Sequence, residues 1–219
     1  MVVALVVSIG WVVSELTSVS SHFLGSIASP QLRSGVSMAS ESTMQPTVLV
    51  VDFGAQYAQL IARRVREAQV YSEIVPHRIT AQEVRQRKPI GIILSGGPAS
   101  VHVEGAPLLD PEIYELGIPI LGICYGCQLI AQQLGGEVAR GGRGEYGRTT
   151  LQRIAGSTSQ LHHDSIPAQL SVWMSHFDAV SVLPSGFVAT ASTPDAPMAV
   201  IESSTRKIWG VQYHPEVGH

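Results

Sequence analysis

Two cysteines, Cys124 and Cys127, stand three positions apart in the stretch GICYGCQ and are the only ones in the chain. The spacing C-x-x-C is typical of thiol redox centres and of half-sites for zinc. The overlapping pattern G-x-C-x-G is typical of a cysteine nucleophile on a sharp turn. The sequence around these cysteines must therefore distinguish a redox centre, a zinc site and a cysteine nucleophile.

The nucleophile interpretation depends on where Cys124 lies in the fold. A buried strand is predicted over residues 118–123 and a helix directly after it, which places Cys124 on a strand-to-helix turn. Gly122 and Gly126 on either side allow the backbone to turn sharply and to approach a substrate closely. The N-terminus of the helix would favour a thiolate. Cys127, inside the first helical turn, is better explained as a buried structural residue.

A base for this nucleophile is present near the end of the sequence. Residues 207–213 predict a strand that carries His214 at its carboxyl end. Pro215 keeps the chain extended, so that Glu216 can point back to the imidazole. A carboxylate on one ring nitrogen fixes the tautomer and leaves the other nitrogen to accept the thiol proton. Together with Cys124, these residues predict a Cys-His-Glu triad.

The other two chemistries are less well supported. A redox centre needs no His-x-Glu, although its motif also begins a helix after a strand, so that topology alone does not exclude it. A zinc site needs two more ligands, and the only cluster available, residues 162–164 (HHD), lacks matching spacing. The triad is the favoured interpretation.

Composition and charge narrow the class of protein. The chain has 219 residues, of which 45% are hydrophobic, enough for one sizeable core. A net charge of -3 gives no general attraction to nucleic acid or to anionic membranes. Two cysteines cannot build a disulfide framework, which fits a reducing compartment, and we predict a cytoplasmic location.

The pattern of strands and helices predicts an α/β fold. In the first half, short apolar strands alternate with helical segments, an arrangement typical of a parallel sheet covered on both faces. The second half contains short strands joined by Pro, Gly and Ser turns. We therefore expect an open mixed, largely parallel sheet with helices on both faces, extended by antiparallel strands in the second half. The predicted strands are 47–51, 71–75, 90–94 and 118–123, followed by 149–154, 179–183, 187–191, 198–202 and 207–213.

Residues 1–46 differ in composition and are predicted to be an N-terminal extension of a domain that spans 47–219. Their first thirteen residues are almost all apolar but too few to span a bilayer, which takes about 20 helical residues. Three alternatives remain open: a targeting sequence, a membrane anchor, or an upstream extension with Met38 or Met44 as the natural start.

Three motifs together resemble the class I glutamine amidotransferases: GICYGCQ, LSGGP at 94–98 and HPE at 214–216. Further stretches narrow the resemblance to the amidotransferase domain of the GMP synthetase family. They are VDFGAQY at 51–57, RRVRE at 63–67, EYG at 145–147 and VWMSHFD at 172–178. The resemblance covers about residues 47–217.

The resemblance implies a mechanism for the triad. Cys124 attacks the side-chain amide of glutamine, and His214, oriented by Glu216, passes the thiol proton to the leaving ammonia. Water then hydrolyses the glutamyl thioester.

The resemblance also implies roles for the residues around the triad. The backbone N–H groups of Gly97 and Tyr125 would stabilise the oxyanion, and His176 would not be the base. No metal or cofactor is expected in this chain. The residues expected to bind glutamine are Gly96, Gln128, Ser175, His176 and Asp178.

The partners implied are L-glutamine and an ATP-pyrophosphatase (synthetase) domain or subunit, which would bind ATP and magnesium and aminate XMP to GMP. No phosphate loop of the SGGVDS type occurs here, and the domain is expected to be truncated at its C-terminal helix. Neither nucleic acid nor a membrane is expected as a partner of 47–219. Three alternatives remain: an amidotransferase for CTP, carbamoyl phosphate or anthranilate synthesis, a non-catalytic partner domain, or a thiol-disulfide module.

Two positions depart from the family pattern. Cys127 replaces a common methionine, and Phe177 replaces a glycine that is expected on a turn before a strand. If this position has a positive φ, Phe177 is strained by about 1–2 kcal/mol. On that premise, Phe177→Gly is expected to raise kcat/KM for glutamine hydrolysis.

Overall fold

The structure is a computed structural model that describes residues 45–55, 57–97, 100–162 and 166–217. The predictions for the N-terminal extension fall almost wholly outside these residues. His163 and Asp164 of the zinc candidate are also outside them.

The described residues form nine strands in one sheet, with the spatial order β2-β1-β3-β4-β9-β8-β7-β5-β6. The first four strands in the sequence are β1 Thr47–Asp52, β2 Tyr71–Pro76, β3 Gly91–Leu94 and β4 Ile120–Ile123. The other five are β5 Glu137–Arg153, β6 Gln169–Val182, β7 Val188–Ser192, β8 Val200–Ser203 and β9 Ile208–Val211.

Strands β2, β1, β3, β4 and β9 pair in parallel. From β9 outward every pairing is antiparallel. The predicted open mixed, largely parallel sheet with an antiparallel extension is therefore confirmed. Strands β3, β4, β8 and β9 are buried along their whole length, because side chains cover both faces of the sheet there.

Three helices cover the parallel half: α1 Ala58–Glu67, α2 Ala81–Arg87 and α3 Tyr125–Gln133. Apolar residues of α1 pack into the core on one side of the sheet, and those of α2 and α3 pack on the other. Helix α2 is absent from the predicted elements, although Thr80 begins it with a capping box in which Glu83 is the partner. None of the described helices is long and apolar enough to cross a membrane.

Several elements differ from the prediction in length. Between β3 and β4, where a helical segment is expected, the chain forms only a 3-10 turn, Pro111–Glu115, and Gly117 with a φ of +70° follows it. Strands β5 and β6 begin well before the predicted 149–154 and 179–183. The first half of β5 is polar and rich in glycine, so that it carries little apolar alternation, and it is held by pairing with β6. The first half of β6 does alternate, with Leu170, Val172 and Met174 at every second position.

The two glycines beside Cys124 bring α3 against the sheet. A Cβ atom on Gly126 would lie 2.5 Å from the carbonyl oxygen of Leu94 in β3. A Cβ atom on Gly122 would lie 2.6 Å from the carbonyl carbon of Gly126. Only glycine allows the first turn of α3 to approach β3 and β4 this closely.

We expect Gly126→Ala to lower the free energy of unfolding by about 1–3 kcal/mol, because the new methyl group overlaps backbone that cannot move freely. Urea denaturation of the parent and the variant would measure the difference. An unchanged midpoint would contradict the close approach of α3 to β3.

Candidate active site

Cys124 lies between β4 and α3 with φ +52° and ψ −105°, angles that are rare for a residue with a side chain. Its backbone N–H donates to the carbonyl of Val211 in β9 at 2.8 Å. Its carbonyl accepts from the N–H groups of Cys127 and Gln128, both at 3.1 Å. Cys124 itself therefore adopts the unfavourable backbone angles, whereas Gly122 and Gly126 allow α3 to pack closely against the sheet.

His214 and Glu216 come together as predicted. The Nδ1 atom of His214 lies 2.8 Å from the Oε1 atom of Glu216, and both side chains are buried. Because a carboxylate can only accept, Nδ1 carries the hydrogen and Nε2 is left for the thiol.

The route to His214 differs from the prediction, since β9 ends at Val211 and does not continue to Tyr213. The N–H of Gln212 donates to Ala199 beside β8, and the N–H of His214 donates to Trp173 in β6 at 2.9 Å. After Val211 the chain therefore no longer pairs with β4. It turns towards β6 before it reaches His214.

Helix α1 and the residue before it also hold this segment. The Nε atom of Arg64 donates to the backbone carbonyl of Glu216 at 3.1 Å. The ring of Tyr57 packs on the imidazole of His214, with 4.9 Å between the ring centroids. Both contacts restrict the position of the imidazole.

The environment of His214 favours its charged form. Burial by itself lowers its pKa, but hydrogen bonds to the Cys124 sulfur and to Glu216 outweigh burial and raise the pKa to about 10. These contacts favour the imidazolium, the form that can give a proton to a leaving group. By contrast, burial raises the pKa of the Cys127 thiol, which packs beside Gly210 on the other side of the sheet.

A cavity of about 590 Å³ opens in front of Cys124. It lies at the carboxyl end of β4, where open α/β sheets bind ligands. Of the predicted site residues, Cys124, Gly97, Tyr125, Gln128, Ser175, His176 and Asp178 line it. Gly96 lies beside the triad instead, where an added Cβ atom would be 3.3 Å from the imidazole Cε1 of His214.

The loop that carries Gly97 is fixed from several sides. Ser95 accepts an N–H from Phe53 on its hydroxyl and one from Gly126 on its carbonyl, both at 3.2 Å. A Cβ atom on Gly97 would lie 2.7 Å from the ring of Tyr125. The N–H of Tyr125 belongs to the first turn of α3, where no acceptor exists within the helix. The role of these two N–H groups as oxyanion donors stays a prediction.

Both nitrogens of His176 are occupied. Nδ1 lies 3.1 Å from the carbonyl of Asp178, and Nε2 lies 3.0 Å from the Oε2 atom of Glu145. Glu145 also accepts the hydroxyl of Thr193 at 2.6 Å. Because each ring nitrogen of His176 already has a partner, neither is available to the Cys124 sulfur.

The strain premise for Phe177 is wrong. Phe177 lies inside β6, and it is not among the residues with positive φ. Within the described part of the chain, those other than glycine are Gln69, Lys88, Cys124 and Lys207. Its ring packs under the guanidinium of Arg140, 4.2 Å from the centroid. The backbone therefore gives no reason to expect a gain from Phe177→Gly.

Three residues that lie at the site were not predicted from the sequence: Tyr57, Glu145 and Gln212. Tyr57 and Glu145 lie within motifs that narrowed the resemblance, and Gln212 stands two residues before His214. Nearness to these motifs was the only available signal, because their contacts join distant segments. Within the part of the chain that the structure describes, no three His, Cys, Asp or Glu side chains form a possible metal site.

Comparison with known proteins places this geometry in context. Residues 49–219 match the family Glutamine amidotransferase class-I. The chain is 59% identical over 184 residues to a GMP synthase (glutamine-hydrolysing) from Thermobifida fusca, covering 84% of this chain and 34% of that protein. It is 58% identical to the GMP synthase of Mycobacterium tuberculosis, covering 78% of this chain and 32% of that protein. The chain thus spans about a third of the length of these relatives.

Solved structures show the same fold. A GMP synthase subunit from Thermoplasma acidophilum has a TM-score of 0.70 and 30% identity, covering 80% of this chain and 86% of that one. A glutamine amidotransferase from Thermotoga maritima has a TM-score of 0.61 and 23% identity, covering 80% and 77%.

Iodoacetamide should alkylate Cys124 and spare Cys127. Cys124 lines the open cavity, whereas Cys127 is fully buried and its pKa is raised by that burial. Peptide mapping after brief treatment of the native protein would locate the label, with Cys127→Ala and Cys124→Ala as matched controls. Label found mainly on Cys127 would remove Cys124 as the nucleophile.

Proposed function

Because the chain belongs to the class-I glutamine amidotransferase family, we propose that it hydrolyses L-glutamine and supplies the ammonia to a GMP synthetase. The observation that carries this proposal is the contact between Cys124, His214 and Glu216 behind a cavity lined by the nucleophile. The identity to GMP synthases favours this pathway over CTP, carbamoyl phosphate or anthranilate synthesis.

The proposed reaction begins at the sulfur. The Sγ atom of Cys124 attacks the side-chain carbonyl carbon of glutamine, and the C–N bond breaks as Nε2 of His214 gives its proton to the leaving ammonia. Water, deprotonated by the same imidazole, then attacks the thioester, releases glutamate and restores the thiol. Glutamine and water thus become glutamate and ammonia, with no other reactant.

Negative charge develops on the carbonyl oxygen in both steps. The N–H groups of Gly97 and Tyr125 are the proposed donors, held by the packing of this loop against the Tyr125 ring. Loss of one such donor typically costs about 10²–10³ in rate.

The far wall of the cavity would hold the amino acid part of the substrate. Asp178 offers a carboxylate to the α-ammonium group, and Gln128 and the backbone near Ser175 offer neutral polar groups. The Gln128 side chain is already fixed, since its Nε2 atom donates to the carbonyl of Asp178 at 2.6 Å.

The proposed partner is an ATP-pyrophosphatase domain or subunit that adenylates XMP and aminates it to GMP. The part of each relative that this chain does not match has room for such a unit. ATP and magnesium would bind there. Because ammonia in water is rapidly protonated, transfer should be direct, and a lone amidotransferase chain should be slow until its partner docks. The proposed location is cytoplasmic, since two cysteines cannot build a disulfide framework.

A steady-state assay of glutamate release tests the function, with Cys124→Ala as the inactive control. We expect turnover that increases when a GMP synthetase partner is added, and labelling of Cys124 by a glutamine-derived diazo-ketone that glutamine itself slows. Absence of both turnover and protected labelling, with the partner present, would contradict the proposal.

Glu216→Gln should lower kcat by about 10²-fold while the fold remains intact. It removes the negative partner that helps to raise the pKa of His214, so the pKa falls and the imidazolium is lost at a lower pH. Because ammonia departure needs that proton, the alkaline limb of the kcat/KM profile should move to lower pH. An unchanged profile would show that Glu216 does not orient or charge the imidazole.

A further inference from the structure

Gln212 lies directly behind the nucleophile and has no part in the mechanism above. Its side chain is buried, and its backbone is held by the hydrogen bond to Ala199 at 2.8 Å. Its Nε2 atom lies 3.7 Å from the sulfur of Cys124, within hydrogen-bonding range for sulfur. Its Oε1 atom lies 3.2 Å from the Nε2 atom of Gln128.

The backbone carbonyl of Asp178 determines how the side-chain amides of Gln128 and Gln212 are oriented. The atom of Gln128 that faces the carbonyl of Asp178 at 2.6 Å must be its nitrogen, because that oxygen can only accept. The second hydrogen of this nitrogen then points to Gln212, whose facing atom must be its oxygen. The amide nitrogen of Gln212 is therefore directed to the Cys124 sulfur.

The sulfur has a second partner with the opposite character. The carbonyl of Ser175 accepts from the thiol at 3.7 Å, and this contact exists only while the sulfur keeps its hydrogen. Once His214 holds the proton, the carbonyl of Ser175 no longer attracts the sulfur. The Gln212 amide, a donor, can hold it in both forms.

We propose that Gln212 is a positioning residue for glutamine hydrolysis, whose amide holds the charged sulfur of Cys124 towards the cavity and is itself oriented by Gln128. The inference rests on the proposed function. Gln128 lines the cavity proposed to bind glutamine. The two amides therefore connect the substrate-binding wall of the cavity with the Cys124 sulfur. Loss of a hydrogen bond to a charged group lowers a reaction rate by about 10- to 100-fold when its free energy is lost from the transition state.

Two substitutions of Gln212 distinguish the contribution of its amide nitrogen from that of its amide oxygen. Gln212→Glu keeps an oxygen for Gln128 and removes the donor to the sulfur, whereas Gln212→Met has a similar length and removes both. Gln133 in α3 provides a matched control, because its amide also accepts at one end (Tyr114, 3.0 Å) and donates at the other (Leu109, 2.9 Å). It does not line the cavity.

The readouts are kcat and KM for glutamine, the rate of Cys124 alkylation by iodoacetamide, and the midpoint of urea unfolding. For both Gln212 variants we expect kcat and the alkylation rate to fall by about 10- to 100-fold, with KM within about threefold. Gln133→Glu and Gln133→Met should lower the unfolding midpoint and leave both rates unchanged. If Gln212→Met does not fold, Gln212→Glu alone decides.

A folded Gln212 variant that reacts within about twofold of the parent in both assays would overturn the proposal. An equal loss in the Gln133 variants would also overturn it, because the effect would then be one of general stability. A parent chain that is alkylated but hydrolyses no glutamine, even with its partner, would instead contradict the proposed function. The comparison of alkylation rates would still test Gln212.

Discussion

The backbone of Cys124 is the constraint on which the site depends. A residue with a side chain at φ +52° costs about 1–3 kcal/mol, so the surrounding structure must hold it there. The hydrogen bond to Val211 holds one side of the turn, and the first turn of α3 holds the other. Gly122 and Gly126 allow the two sides to come close enough for both bonds to form. The position of Cys124 at the wall of the cavity is a result of this packing.

The two halves of the sheet make different contributions to the site. The parallel half supplies the nucleophile and the loop with Gly97, since both follow the carboxyl ends of neighbouring strands. The antiparallel half supplies the wall of the cavity through β6, with Glu145 of β5 behind it. Strand β9 lies at the boundary, and the segment after it carries the base from one half to the other. The triad therefore forms only when both halves are folded together.

Much of the fold, and the contacts among Cys124, His214 and Glu216, could be predicted from the sequence. Strands β1, β3 and β4 are short apolar runs buried on both faces, so that local composition marks them within one or two residues. The first half of β5 could not be recognised, because it is polar and rich in glycine and is held by pairing with β6. The alternating Leu170, Val172 and Met174 of β6 were a strand signal that the prediction did not use. Cys124 and His214 were found because each stands in a distinctive local pattern.

The residues that support the triad were harder to find. Gln212 contacts a sulfur 88 positions away in the sequence, and the Glu145 carboxylate meets an imidazole 31 positions away. The residues next to each partner in the sequence carry no pattern that predicts contacts over such distances along the chain. The angle at Phe177 was misjudged for a related reason: the turn expected there is replaced by a strand that β5 holds by pairing.

The separation of the two thiols has a consequence for the chain under oxidative stress. Cys124 packs with the core on the α1 side of the sheet and Cys127 with the core on the other side. Among these 219 residues, a sulfenic acid formed on Cys124 by peroxide would therefore have no resolving thiol on its own side of the sheet. Recovery of the oxidised nucleophile would depend on small thiols such as glutathione that can enter the cavity, and further oxidation to the sulfinic acid would be permanent.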